Sequence, residues 1–215
     1  MKHKKDLDTI MKIHYCDKAS DHHHYNEVYE KLFEEFRDQP INIFEVGIFR
    51  GESVESWYDY FPNAQIYCVD IFTRDECSED QYALSLDRVH YLKGNSTDRS
   101  LPDRMREAWG EDIKFQFMID DGEHTIKSNL ETYNNLFEFL EVGGEYFIED
   151  CYPWHLMNNK ERNNRWCIKY PESYNDEMSD KFINTLSSTG ILTQHDLRIT
   201  SSKIDSFILS VKKTS

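Results

Sequence analysis

The sequence predicts an α/β fold with a mostly parallel sheet closed by an antiparallel hairpin, on three observations. Short β-rich runs alternate with helical patterns through most of the chain, as in parallel strands joined by helical crossovers. Two of these runs stop abruptly in paired carboxylates, Met118-Ile119-Asp120-Asp121 and Tyr146-Phe147-Ile148-Glu149-Asp150. Near the end the pattern changes. Leu192 to Ile199 and Ser206 to Val211 are β-rich runs around Thr200-Ser201-Ser202-Lys203, which reads as a hairpin added to a parallel sheet.

The elements follow in order. Residues 26–37 place Val28, Tyr29, Leu32, Phe33 and Phe36 on one helical stripe, and Pro40 ends it. Ile41 to Val46 reads as a buried strand, followed by a glycine loop and a helix through Trp57 and Tyr60 that Pro62-Asn63 breaks. Gln65 to Asp70 is the second strand and Val89 to Leu92 the third, with a charged loop or helix over Arg74 to Asp87 between them. Residues 99–109 are helical, Lys114 to Ile119 is the fourth strand, and 126–140 the next helix. Gly143-Gly144 reads as the turn into a fifth strand at 145–148, and 176–188 as a helix.

Length favours a single domain over residues 1–215, with an N-terminal helical segment at 1–40 and an insertion rich in Trp, Tyr, Asn and Arg at 152–174. The mean hydropathy of -0.75 requires a very polar surface, while 14% aromatic residues argue against disorder. A net charge of -15 repels phosphate backbones and disfavours nucleic acid as a partner. The basic runs Met1-Lys2-His3-Lys4-Lys5 and Lys160-Glu161-Arg162 are small and read as solvated. Five cysteines without a CxxC spacing argue against a disulfide framework or a structural zinc site. There is no apolar span for a membrane, so the expected setting is the cytoplasm.

The chemistry lies at the strand ends. Two neighbouring parallel strands ending this way would bring Asp120, Asp121, Glu149 and Asp150 close enough to repel one another unless a cation or a shared proton relieves them. Oxygen-only clusters suit hard cations such as magnesium, and His124 stands beside them. The first strand ends Glu45-Val46-Gly47, with Gly51 four residues on and Asp70 closing the second strand. In open α/β sheets ligands bind beyond such strand ends. The spacing lacks the G-x-G-x-x-G of a pyrophosphate site, and Asp70 is placed to accept from two ribose hydroxyls. That combination fits S-adenosylmethionine better than NAD. The plainer readings stand beside it: the glycine loop as a mere turn, Asp-Asp-Gly as a turn with a helix cap, and His22-His23-His24 as a hydrated loop rather than a metal tract, with His24 and Tyr25 near the active site. Trp154, His155, Trp166, Tyr170 and Tyr174 could stack on sugar faces or pack on their own domain. Cys151 and Cys167 read as packing residues.

Three segments carry a family resemblance: Glu45-Val46-Gly47-Ile48-Phe49-Arg50-Gly51-Glu52-Ser53, Ile119-Asp120-Asp121-Gly122-Glu123-His124, and Gly143 through Asp150. Together they resemble the macrocin/mycinamicin type of sugar O-methyltransferase, as do Asp17-Lys18, His24-Tyr25 and Tyr29-Glu30. The resemblance implies a Rossmann-like class I methyltransferase fold with a seven-stranded, mostly parallel sheet. It implies S-adenosyl-L-methionine and Mg2+ as cofactors and a sugar hydroxyl as acceptor. By it, Asp121, Glu149 and Asp150 would be metal ligands and His124 the general base. Glu45, Gly47, Gly51, Ser53, Asp70, Asn95, Ser96 and Asp120 would hold the cofactor, with Asn95 near its adenine and Asp120 toward its methionine end. Cys16 stands where the family usually has Thr, and Asn95 where Asp is common. The second departure weakens the adenine assignment.

The resulting expectation is a metal-assisted O-methyltransferase acting on a glycan, a nucleotide sugar or a glycosylated small molecule, compatible with a homo-oligomer. A catechol-type or other small-molecule acceptor is the rival within the fold, and a non-catalytic binding protein is the rival outside enzymology.

Overall fold

The computed structural model describes residues 4–74 and 76–215. Met1, Lys2 and His3, part of the N-terminal basic run, lie outside the described residues. Lys4 pairs with Asp38.

Two helices, α1 (Leu7–Ile13) and α2 (Asn26–Phe33), precede the first strand, β1 (Asn42–Val46). Then follow α3 (Glu52–Tyr60), β2 (Gln65–Asp70), β3 (Val89–Lys93), α4 (Leu101–Trp109), β4 (Phe115–Asp120), α5 (Ile126–Leu136) and β5 (Leu140–Ile148). The 152–174 insertion carries the short helices α6 (Asn159–Arg162) and α7 (Arg165–Lys169). The chain closes with α8 (Asp176–Thr189), β6 (Gly190–Asp196), α9 (Arg198–Ser201) and β7 (Phe207–Lys213).

The seven strands lie in the order β3-β2-β1-β4-β5-β7-β6. The first five are parallel, and β7 is antiparallel to both β5 and β6. The order reverses between β1 and β4, so the crevice beyond their carboxyl ends is the place where such sheets bind ligands. That is where the acidic strand ends arrive.

Both faces of the sheet are buried, because successive strand residues point to opposite sides. Ile43, Phe117 and Phe147 join Tyr29, Phe33, Trp57 and Phe61 under the N-terminal helices. Phe44, Met118, Tyr146 and Ile148 join Leu130, Tyr133 and Phe182 under α5 and α8. Phe33 packs its ring against Trp57, Phe61, Phe117 and Phe147. A phenylalanine buried in that way is worth about 3–5 kcal/mol against alanine. This anchors α2, the helix that brings Tyr29 to the strand ends.

Three sequence readings shift. Gly143-Gly144 lies inside β5 rather than before it, where the pairing with β4 changes register between Phe115 and Phe117. A Cβ on Gly144 would lie 2.6 Å from the carbonyl oxygen of Gln116, so the glycine pair permits an irregularity in the strand, not a turn. The predicted strand through Ile199 stops at Asp196. The Asp196 carboxylate accepts from the Arg198 backbone and guanidinium, which turns the chain into α9 and leaves Ile199 93% exposed. Finally, the helix predicted over 126–140 ends as α5 at Leu136, with a 3-10 turn over Phe137–Phe139 leading into β5.

Candidate active site

The glycine loop is built around close backbone approach. Gly47 has φ +89°, and a Cβ there would lie 2.1 Å from the carbonyl oxygen of Asp121. The loops after β1 and β4 therefore touch at this glycine. Asp70, at the end of β2, is tied to the same loop: one oxygen accepts from the Ile48 N–H at 2.7 Å and the other from the Phe72 N–H at 2.7 Å. The former, Oδ2, also accepts from the Phe49 N–H at 3.3 Å, so Asp70 shapes the loop and the capacity it keeps for a further donor lies on Oδ1.

Glu45 is fully buried. Its Oε2 accepts from Ser53 Oγ at 2.9 Å and Trp57 Nε1 at 3.1 Å, while Oε1 has no hydrogen-bond partner. Burial pushes this carboxyl up to about 7. Ser53 thus serves Glu45. Asn95 accepts from the backbone and hydroxyl of Thr97, and Ser96 Oγ meets Thr132 Oγ1 at 2.8 Å, so the 94–96 turn is fastened to itself and to α5.

The strand ends after β4 and β5 bring their acids together. Backbone bonds set the spacing: the Asp121 N–H donates to Val46 at 3.0 Å and the Glu149 N–H to Asp120 at 3.0 Å. Asp120 is buried, accepts from Asn129 Nδ2 at 3.1 Å, and is raised by burial to about 7. One ligand atom each from Asp121, His124 and Asp150 lies within 4.8 Å of the other two. Glu149 sits behind them, 1% exposed. Its Oε2 accepts from Lys18 Nζ at 2.6 Å and its Oε1 from the Tyr29 hydroxyl. Asp150 accepts from the Tyr25 hydroxyl at 2.6 Å, and burial raises it to about 6. His124 and Asp150 both hold left-handed backbone, φ 59° and φ 51°, a strained conformation of the kind found at functional sites.

His124 Nδ1 is buried without a hydrogen-bond partner, 3.9 Å from Asp121 Oδ1, while Nε2 lies 4.0 Å from Asp150 Oδ2. The aromatic insertion packs alongside. Tyr174 and Trp166 donate to the His124 carbonyl, whereas Trp154 and His155 bond to Asp176 and Gln194. A narrow pocket between the insertion, α5 and α8 is lined by His124, Asn129, Tyr152, Trp154, His155 and Tyr174. In the histidine tract, His23 reaches Ser206 and comes within 3.6 Å of Asp150, while His24 turns to Glu27. Asp17, His22 and His23 also converge, with Lys203 Nζ against His22.

No family model matches the chain. It is 32% identical over 154 residues to the 8-demethyl-8-(2-methoxy-alpha-L-rhamnosyl)-tetracenomycin-C 3'-O-methyltransferase of Streptomyces olivaceus, covering 68% of this chain and 37% of that protein. It is 27% identical over 156 residues to the mycinamicin VI 2''-O-methyltransferase of Micromonospora griseorubida, covering 69% and 37%. The fold superposes on the MycE methyltransferase of the mycinamycin pathway, solved with Mg, S-adenosylhomocysteine (SAH) and mycinamycin VI, with a TM-score of 0.69 at 21% identity. That match covers 99% of this chain and 55% of MycE. The chain is a relative of the macrocin/mycinamicin-type sugar O-methyltransferases. Its fold is the Rossmann-like class I methyltransferase fold, and the aligned part spans 37% of the length of these curated sugar O-methyltransferases. No helix among its described residues is long and apolar enough to cross a membrane.

Against that family background, sequence reasoning left four residues of the cluster without a role. Lys18, Tyr25, Tyr29 and Asn129 all bond to its acids. Lys18 and the two tyrosines lie in the segment that carries the family likeness ahead of β1, which was the available signal. Tyr29 also belongs to the apolar stripe of α2, and helical spacing does not reveal that its hydroxyl ends on Glu149. Asn129 had no signal beyond lying one turn into a helix.

Proposed function

We propose that this chain is a sugar O-methyltransferase: it transfers the methyl group of S-adenosylmethionine to a hydroxyl of a glycosylated small molecule, assisted by a divalent cation. The observation that carries the reading is the convergence of Asp121, His124 and Asp150 beside the Gly47 loop at the switch point of the sheet. The outward oxygens Asp121 Oδ1 and Asp150 Oδ2 fit a hard divalent cation such as Mg2+, which takes oxygen ligands. Asp121 and Asp150 would hold it, with Glu149 behind them. Bound there, it would supply positive charge that eases ionisation of the acceptor hydroxyl.

The protein's own groups do the rest. Glu45, Gly47, Gly51, Ser53, Asp70, Asn95, Ser96 and Asp120 form the cofactor side. The packing of Gly47 against Asp121 ties the glycine loop on the cofactor side to the acidic cluster. His124 Nε2, on the Asp150 side, takes the hydroxyl proton as the general base. The oxygen then forms its bond to the methyl carbon as the carbon–sulfur bond breaks, and the electron pair leaves on sulfur as SAH. Alignment of oxygen, carbon and sulfur supplies much of the rate. The insertion, with the partly exposed Tyr152 and Trp154, provides the aromatic wall for the acceptor.

The test is turnover of labelled S-adenosylmethionine on a panel of rhamnosides and other monosaccharide glycosides, with and without EDTA, beside calorimetry with SAH. We expect SAH to bind, at least one glycoside to be methylated, and EDTA to abolish turnover. Absence of SAH binding would remove the methyltransferase reading, and full activity in EDTA would remove the cation.

A further inference from the structure

Lys18 is 1% exposed and lies in the loop between α1 and α2, where no apolar pattern accounts for its burial. Its ammonium is 2.6 Å from Asp121 Oδ2, 2.6 Å from Glu149 Oε2 and 3.8 Å from Glu45 Oε1. Those acids end three neighbouring parallel strands, β4, β5 and β1. A buried ammonium is tolerated only when it is well paired, and removing one partner of such a pair leaves an uncompensated charge in the interior.

The geometry divides the carboxylate oxygens between an inner and an outer side. Lys18 takes Asp121 Oδ2 and Glu149 Oε2. Asp121 Oδ1 and Asp150 Oδ2 face His124, at 3.9 Å and 4.0 Å. Tyr29 and Tyr25 hold the remaining oxygens of Glu149 and Asp150. We propose that Lys18 is a positioning residue that acts as the resident cation of the site. It fixes Asp121 and Glu149 from inside, so that the outer oxygens are set for a divalent cation, and it neutralises the cluster when no such ion is bound. The inference rests on the reading of this cluster as a divalent-cation site.

A methionine at position 18 keeps the stem and removes the charge, so melting of Lys18→Met and wild-type protein is to be compared in EDTA and in MgCl2. The variant is expected to melt roughly 10 °C lower in EDTA and to regain more of that loss in MgCl2 than the wild type gains. The double variant Lys18→Met/Glu149→Gln, which removes both charges, is expected to melt above the single variant in EDTA. Three outcomes would overturn the role of Lys18: a single variant within about 2 °C of wild type in EDTA, equal Mg2+ gains in both proteins, or a double variant no more stable than the single. Failure of Lys18→Met to fold even in MgCl2 would overturn it too. Absence of any Mg2+ effect on wild type, in melting or in Mn2+ calorimetry, would instead remove the divalent-site reading beneath it.

Discussion

The Tyr174 hydroxyl donates a 2.7 Å hydrogen bond to the backbone carbonyl of His124, and the Trp166 indole N–H reaches the same oxygen at 3.1 Å. His124 needs this support, because a left-handed non-glycine residue costs on the order of 1–3 kcal/mol and persists only where its surroundings over-determine it. Both donors come from the 152–174 insertion, which also lines the pocket next to His124. The acceptor-side segment therefore holds the candidate base by its backbone. Each bond is worth about 0.5–1.5 kcal/mol. Tyr174→Phe and Trp166→Phe should each lower kcat roughly 3- to 10-fold on whichever glycoside turns over, with SAH affinity preserved. Unchanged kcat in the Trp166→Phe/Tyr174→Phe double variant would show that the contact is packing only.

Gly47 makes a sharper prediction, because two effects coincide there. Its φ of +89° disfavours any side chain, and a Cβ would lie 2.1 Å from the Asp121 carbonyl oxygen. Gly110 has a similarly positive φ of +106° but nothing within 4 Å of a Cβ. Gly110→Ala should therefore cost only conformational strain, about 1–3 kcal/mol. Gly47→Ala should cost more and weaken SAH binding at least tenfold, since the Asp121 loop must move. Equal melting temperatures for the two variants, with SAH affinity intact in both, would contradict the close approach.

Much of this was legible in the chain, for reasons that differ by residue. Gln65 to Asp70 was bounded correctly because a buried strand ending in an acid carries its own stop. The Asp121 and Asp150 pair was legible because two apolar runs break into carboxylates, and adjacent parallel strands bring such breaks together. Gly143-Gly144 misled because a glycine pair looks alike in a turn and in a strand irregularity, and only the Gln116 carbonyl tells them apart. Lys18 had only the family likeness of its segment as a signal, and no spacing placed it among the acids. A lysine in a polar loop looks solvated, and its burial depends on three acids distant in sequence. The His124 support was hidden for the same reason, since Trp166 and Tyr174 act through a carbonyl oxygen that no side-chain pattern marks.

The buried acids also set how stability should vary with pH. Burial raises Glu45 and Asp120 to about 7 and Asp150 to about 6, all above their unfolded values near 4. The folded state then binds more protons than the unfolded one between about pH 4 and 7, so these groups favour folding at the acid end and lose that contribution as pH rises. His23 acts in the opposite sense: burial lowers it to about 4, so its contribution is complete above about pH 6.5 and fades as pH falls. Between pH 6.5 and 8 the imidazole has only the last part of its contribution left to gain, and the raised acids outweigh it. In EDTA the melting temperature should therefore fall by roughly 3–7 °C across that interval. A divalent cation favours the ionised acids, so saturating Mg2+ should flatten or reverse the slope. A melting temperature that holds steady or climbs from pH 6.5 to 8 in EDTA would mean that these carboxyls are already ionised in the folded chain.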